Sequence, residues 1–139
     1  MEPGDKALLL EDLCGRIMYG VKCSVYEDTN VYTLSGVLPN KGYNELYFEE
    51  LDWKECEGFA DIQYCKPYLF PISSMTEEQR IEFRKIMDIV EARCINACCK
   101  GGFTLSYTDL NDWLNKNNFD YRGLIPKGLA NDATNLKIY

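Results

Sequence analysis

Seven cysteines and no histidine set the chemical limits of this chain. Without an imidazole there is no histidine acid–base catalyst and no Ser-His or Cys-His pair. A thiol nucleophile would need some other activating partner, and the sequence offers none. The thiols are Cys14, Cys23, Cys56, Cys65, Cys94, Cys98 and Cys99. No C-x-x-C pair occurs. Cys94 and Cys98 stand four apart on a predicted helix with Cys99 beside them, so an all-thiolate site is the one tetrahedral zinc option and plain burial the ordinary alternative. The expectation is no metal and no cofactor. G-x-G-x-x-G, G-x-x-x-x-G-K, zinc-protease and G-x-S-x-G patterns are missing, and Gly101-Gly102 reads as a helix stop. Carboxylate pairs could still do acid–base work, but 22 acids make chance pairs certain. The reading is of a protein with no catalytic residues.

The chemistry that remains is recognition. Ten tyrosines, six phenylalanines and two tryptophans supply flat surfaces. Tyr121 and Arg122 are the leading candidates for a ligand site, with Lys127, Tyr68 and Lys116 behind them. A guanidinium can hold a phosphate in a bidentate fork, and a tyrosine can stack on a base. Lys127 lies in the Pro126-Lys127-Gly128 turn, from which it could follow a phosphate. The plain alternatives are that Tyr121 is a core aromatic, that Arg122 pairs with an aspartate and that Lys127 is solvated. A second candidate surface is acidic: Glu49, Glu50, Asp52, Glu55, Glu57 and Asp61, relieved only by Lys54. It is a solvated face, a cation site or a surface for a basic partner. It lacks the ligand spacing of an EF-hand loop. The net charge of −7 lies in residues 1–65, where 13 acids face 5 bases. Broad grip on duplex nucleic acid needs phosphate neutralisation, so that partner is not expected.

These residues need elements to position them. The 139 residues suit one domain, 1–139, with a β-rich part over 1–66 and a mainly helical part over 72–139. Residues 5–14 read as a short helix capped by Asp5 and stopped by Gly15. Tyr19 to Tyr26 alternates, with Val21, Cys23 and Val25 on one side and Lys22, Ser24 and Tyr26 on the other. Further strands are predicted over Val31–Leu38, Glu45–Leu51 and Phe59–Cys65. Together they suggest an antiparallel meander, closed into a barrel or strongly curved. Lys66–Ser74 reads as an extended connector that Pro67 and Pro71 keep out of helix.

The strongest helix follows. Ser74 with Glu77 forms one capping box and Thr76 with Gln79 an alternative one. Phe83, Ile86, Met87, Val90, Cys94 and Ala97 make its apolar stripe. A strand or connector over Phe103–Tyr107 leads to a second helix from Thr108 to about Asn117, with Leu110, Trp113 and Leu114 buried. The tail from Phe119 to Ala130 is apolar enough to dock on the core. The fold class expected is α+β.

Three segments carry a resemblance. They are Leu13-Cys14-Gly15-Arg16-Ile17-Met18-Tyr19-Gly20-Val21-Lys22, then Lys66 to Glu78 with its Lys-Pro-Tyr-Leu-Phe-Pro-Ile-Ser-Ser-Met-Thr-Glu-Glu run, then Asp112 to Ala130 with its Asp-Trp-Leu-Asn-Lys start. In this order they resemble uncharacterised small proteins of gut Bacteroides-type bacteria, their phages and integrated mobile elements. Residues 27–65 and 88–107 carry none of it. The resemblance implies a phage or mobile-element accessory protein working in the bacterial host cytoplasm. It brings no functional residues with it. The odd thiol count and the acidic opening Met1-Glu2-Pro3-Gly4-Asp5 agree with a reduced compartment and no export signal. No run of about 18 apolar residues suggests a membrane span. The leading expectation is a counter-defence protein that binds and sequesters a small nucleotide-like immune signal. The alternative is a protein–protein module that inhibits a host protein through its acidic face. A structural or regulatory part of a phage particle is a third option. A homo-oligomer is open under any of these.

Overall fold

The computed structural model describes residues 1–26, 29–40, 43–51, 59–99 and 108–139. Its first element is helix α1, Pro3–Arg16. Pro3 sits at the first helical position, where its missing N–H costs nothing. Glu2 stands at the cap without a side-chain bond and Asp5 lies in the first turn, so Asp5 favours the helix through the dipole and not as a cap. Gly15 does not stop the helix. A Cβ there would meet the Asn115 amide at 3.1 Å, so the glycine allows a close approach. The chain instead runs on through a 3-10 turn at Ile17–Tyr19 and ends at Gly20, φ 64°, whose N–H donates to the Ile17 carbonyl.

Six strands follow in one sheet: β1 (Lys22–Val25), β2 (Tyr32–Asn40), β3 (Tyr43–Phe48), β4 (Phe59–Asp61), β5 (Cys65–Leu69) and β6 (Asn131–Asp132). Their order is β4-β3-β2-β1-β5-β6. The first four form the expected antiparallel meander, β5 joins β1 antiparallel and β6 joins β5 parallel. The sheet is open, with β4 and β6 at its edges, and not a closed barrel. The fold is α+β.

The Lys66–Ser74 connector is a strand in its first half. The ladder explains how Pro67 can sit there. Tyr26 N–H donates to the Tyr64 carbonyl at 2.8 Å, so hydrogen-bonded pairs alternate from that point. Ser24↔Lys66 is then a bonded pair and Cys23↔Pro67 is not. Pro67 occupies a position from which β1 requires no N–H.

Alternation along β1 and β5 decides the two faces. Cys23, Val25, Cys65 and Leu69 are buried and meet Leu9 and Leu13 of α1, together with Val21, Leu34, Leu46 and Ile62. Each such side chain contributes on the order of 1.5–3 kcal/mol when fully buried. Ser24, Lys66 and Tyr68 take the opposite face.

A second core lies between α2 (Glu77–Cys99), α3 (Thr108–Lys116) and the tail. Phe83, Ile86 and Met87 pack on Met75, Leu110, Trp113, Leu114 and Phe119. Of the two capping boxes, the one formed is at Thr76. Gln79 N–H donates to the Thr76 hydroxyl, and Thr76 N–H donates to the Gln79 side-chain Oε1. The Ser74 hydroxyl instead donates to the Pro71 carbonyl. The tail docks as expected. Phe119 stacks on Trp113 at 5.6 Å, and Leu124, Leu129 and Ala133 are buried. Phe70 N–H donates to Asn118 O and Asp120 N–H to Phe70 O, which fixes the tail's entry. The expected Phe103–Tyr107 strand, the Gly101-Gly102 stop and the side chains of Cys56, Cys94, Cys98 and Cys99 lie outside the described residues.

Candidate functional site

Among the described residues, Tyr121, Arg122 and Tyr68 fall in two separate places. The first contains Tyr121 and Arg122, and it begins on α1. Asp12 and Arg16 share a helix face four residues apart, both with fully buried side chains. The guanidinium donates twice to the Asp12 carboxylate, at 2.8 and 3.0 Å, and once to the Phe119 carbonyl at 2.6 Å. Arg122 reaches the same carboxylate at 3.5 Å and Glu11 at 3.8 Å. The Tyr121 ring lies between the two guanidiniums, 5.5 Å from that of Arg16 and 4.7 Å from that of Arg122. Its hydroxyl pairs with Asn115 at 3.1 Å. Next to it, the Asp120 carboxylate accepts from Leu124 N–H and Ile125 N–H, folding the turn that follows.

The planes and cations expected at Tyr121 and Arg122 are therefore together, beside carboxylates of the protein itself, while Arg16 Nη1 and Arg122 Nε are buried without a hydrogen-bond partner among the described residues. The cluster braces α1 against the tail. Lys116, at the end of α3, and Lys127, in the turn before Leu129, are exposed.

The second place is the outer face of β1, β5 and β6. Here a cleft of about 730 Å³ opens between Tyr26, Tyr64, Ser24, Lys66, Tyr68 and Asn131. Tyr26 and Tyr64 stack at 4.8 Å with planes 25° apart, and both remain about half exposed, at 57% and 47%. Tyr26 ends β1 with φ 55°, a left-handed turn that carries its ring out over Tyr64. Asn131 donates its amide to the Ser24 hydroxyl at 2.8 Å, which locks the polar floor. Lys66 is exposed and its ammonium makes no ion pair among the described residues. Of the five residues expected at a ligand site, Tyr68 alone lines this cleft.

No known protein family, curated protein or solved structure matched the chain. The case for function consequently rests on geometry.

Beside the cleft, Tyr139 interrupts the β1–β5 ladder. Its hydroxyl accepts from Lys22 N–H at 2.9 Å and donates to the Tyr68 carbonyl at 2.8 Å. The residue is 47% exposed, yet desolvation of its hydroxyl between the two strands holds the phenol above the usual tyrosine range, against the Lys22 N–H, which favours the phenolate. On the inner face, burial followed by a hydrogen bond to Cys65 pushes the Cys23 thiol well up. These thiols are inert packing groups.

Among the described residues no cluster of three or more metal-ligating side chains occurs, and no helix is long and apolar enough to cross a membrane. The acidic surface is described only in part. Glu49 and Glu50 are exposed, and Glu50 accepts from the Thr33 N–H. Asp52, Glu55 and Glu57 lie outside the described residues.

Sequence reasoning had Ser24 and Tyr26 on one side of β1, but it did not place Tyr64, Lys66 and Asn131 beside them. That step requires β5 to lie next to β1 and β6 next to β5.

Proposed function

We propose that this protein captures a flat, nucleotide-like ligand without transforming it, and that the site is the cleft over Tyr26 and Tyr64. One observation carries the reading. A stacked tyrosine pair stands half exposed at the rim of a cleft with an ordered Ser24–Asn131 floor and a lysine that makes no ion pair among the described residues. Rings held beside each other by the Tyr26 N–H to Tyr64 carbonyl bond lose little entropy on binding, and base–aromatic stacking contributes about 1–3 kcal/mol per base. A cleft of this size suits one small molecule. The chain has no histidine to turn a bound nucleotide over. The resemblance to phage and mobile-element proteins supplies the setting, in which capture of an immune signal is counter-defence.

The test is a thermal-shift and calorimetry panel of cyclic nucleotides and ADP-ribose derivatives on the purified protein. Tyr26→Ala and Tyr64→Ala should each weaken the best ligand by about 5- to 150-fold, the factor that 1–3 kcal/mol represents. Silence across the panel, or binding that both variants retain, would refute the proposal.

A further inference from the structure

The cleft's charge narrows the ligand further, if the capture reading above holds. Among the described residues Lys66 is the only cation that lines the cleft, and no arginine does. The remaining polar groups are neutral: Ser24, Asn131, Gln63 and the Tyr hydroxyls. Neutral donors and acceptors read the edge of a base or a sugar, whereas polyphosphate sites need several cations, a helix N-terminus or a metal. The surroundings oppose accumulated anionic charge. The chain carries −7 overall. Arg122 does not line the cleft, and it lies 3.5 Å from Asp12 and 3.8 Å from Glu11.

We infer that the cleft takes a nucleoside bearing a single phosphate, with the base on the Tyr26–Tyr64 platform and the phosphate on the Lys66 ammonium. A second or third phosphate finds no partner and meets the negative field of the protein.

Calorimetry with adenosine and guanosine, and with their mono-, di- and triphosphates, separates the possibilities. The monophosphates should bind about tenfold more tightly than the nucleosides, equivalent to ~1.4 kcal/mol. The gain should shrink as salt is raised. Di- and triphosphates should bind no better than monophosphates. Lys66→Gln, at an exposed position, should erase the difference in affinity between monophosphate and nucleoside. Affinity that climbs with each phosphate, or a gain that survives Lys66→Gln, overturns the inference. If these nucleotides fail while another flat ligand binds in a Tyr26-dependent way, the ligand class is wrong and capture stands. If nothing flat binds at all, both readings fall.

Discussion

Replacing Asp12 with alanine tests the brace between α1 and the tail. The carboxylate and its Arg16 partner are both fully buried, and the pair is joined by two charge-assisted hydrogen bonds. Without Asp12, the Arg16 guanidinium keeps only the Phe119 carbonyl and the Tyr121 ring, and Arg122 loses its nearer carboxylate. Removing one partner of a buried pair costs about 3–5 kcal/mol, because the other charge stays desolvated and unpaired. A domain of this size has an unfolding entropy of roughly 0.3 kcal/mol/K, so Tm should fall by about 10–17 °C. That is a large part of the roughly 5–15 kcal/mol that holds a typical domain together. Urea unfolding followed by circular dichroism gives the free energy directly. The double variant Asp12→Leu/Arg16→Met should recover most of the loss, since it removes both charges and fills the same volume. A loss below about 1 kcal/mol for Asp12→Ala would refute the reasoning, because a buried charge left alone cannot be that cheap.

Two other perturbations follow from the ladder and the thiols. Tyr139→Phe removes the hydroxyl that bridges Lys22 N–H and Tyr68 C=O at an exposed site and should cost about 0.5–1.5 kcal/mol, with faster hydrogen exchange at the Lys22 amide. The fold holds the Tyr139 phenol neutral with its pKa raised, so its contribution is whole below the ordinary tyrosine value. It is lost as pH rises from there towards the folded value. In an alkaline titration followed near 295 nm, the wild-type protein should show one phenol ionising late that the Phe variant lacks. Iodoacetamide should label the exposed Cys14 in the native protein while Cys23 and Cys65 react only on unfolding; labelling of all three at one rate would contradict their burial.

Particular residues explain what the sequence could and could not disclose. The β1 alternation, the Thr76–Gln79 box and the apolar tail follow from local chemistry, and each appears in the fold. Pro67 misdirected the reading of β5. A proline argues against an inner strand unless its nitrogen falls between ladder bonds, and that register is a property of two strands 42 residues apart. Gly15 resembled a helix stop because its actual reason, the Asn115 side chain, arrives from 100 residues later. The Tyr121–Arg122 pair was legible as a cation beside a ring. Its position beside Asp12 and Glu11 was not, because those acids come from α1. The Tyr26–Tyr64 platform was hidden for the same reason: strand order brings its halves together, not sequence.

The hydroxyl of Tyr139 stands between two inner strands, 117 residues from Lys22 and 71 from Tyr68. A nascent chain cannot finish joining these strands until residue 139 has cleared the ribosomal tunnel. Until then the seam between β1 and β5 is left with a gap at Lys22. Such late closure of distant pieces is slow, and a half-made sheet edge invites pairing with other chains. Expression at low temperature, with chaperones in excess, is the condition under which this seam has time to shut.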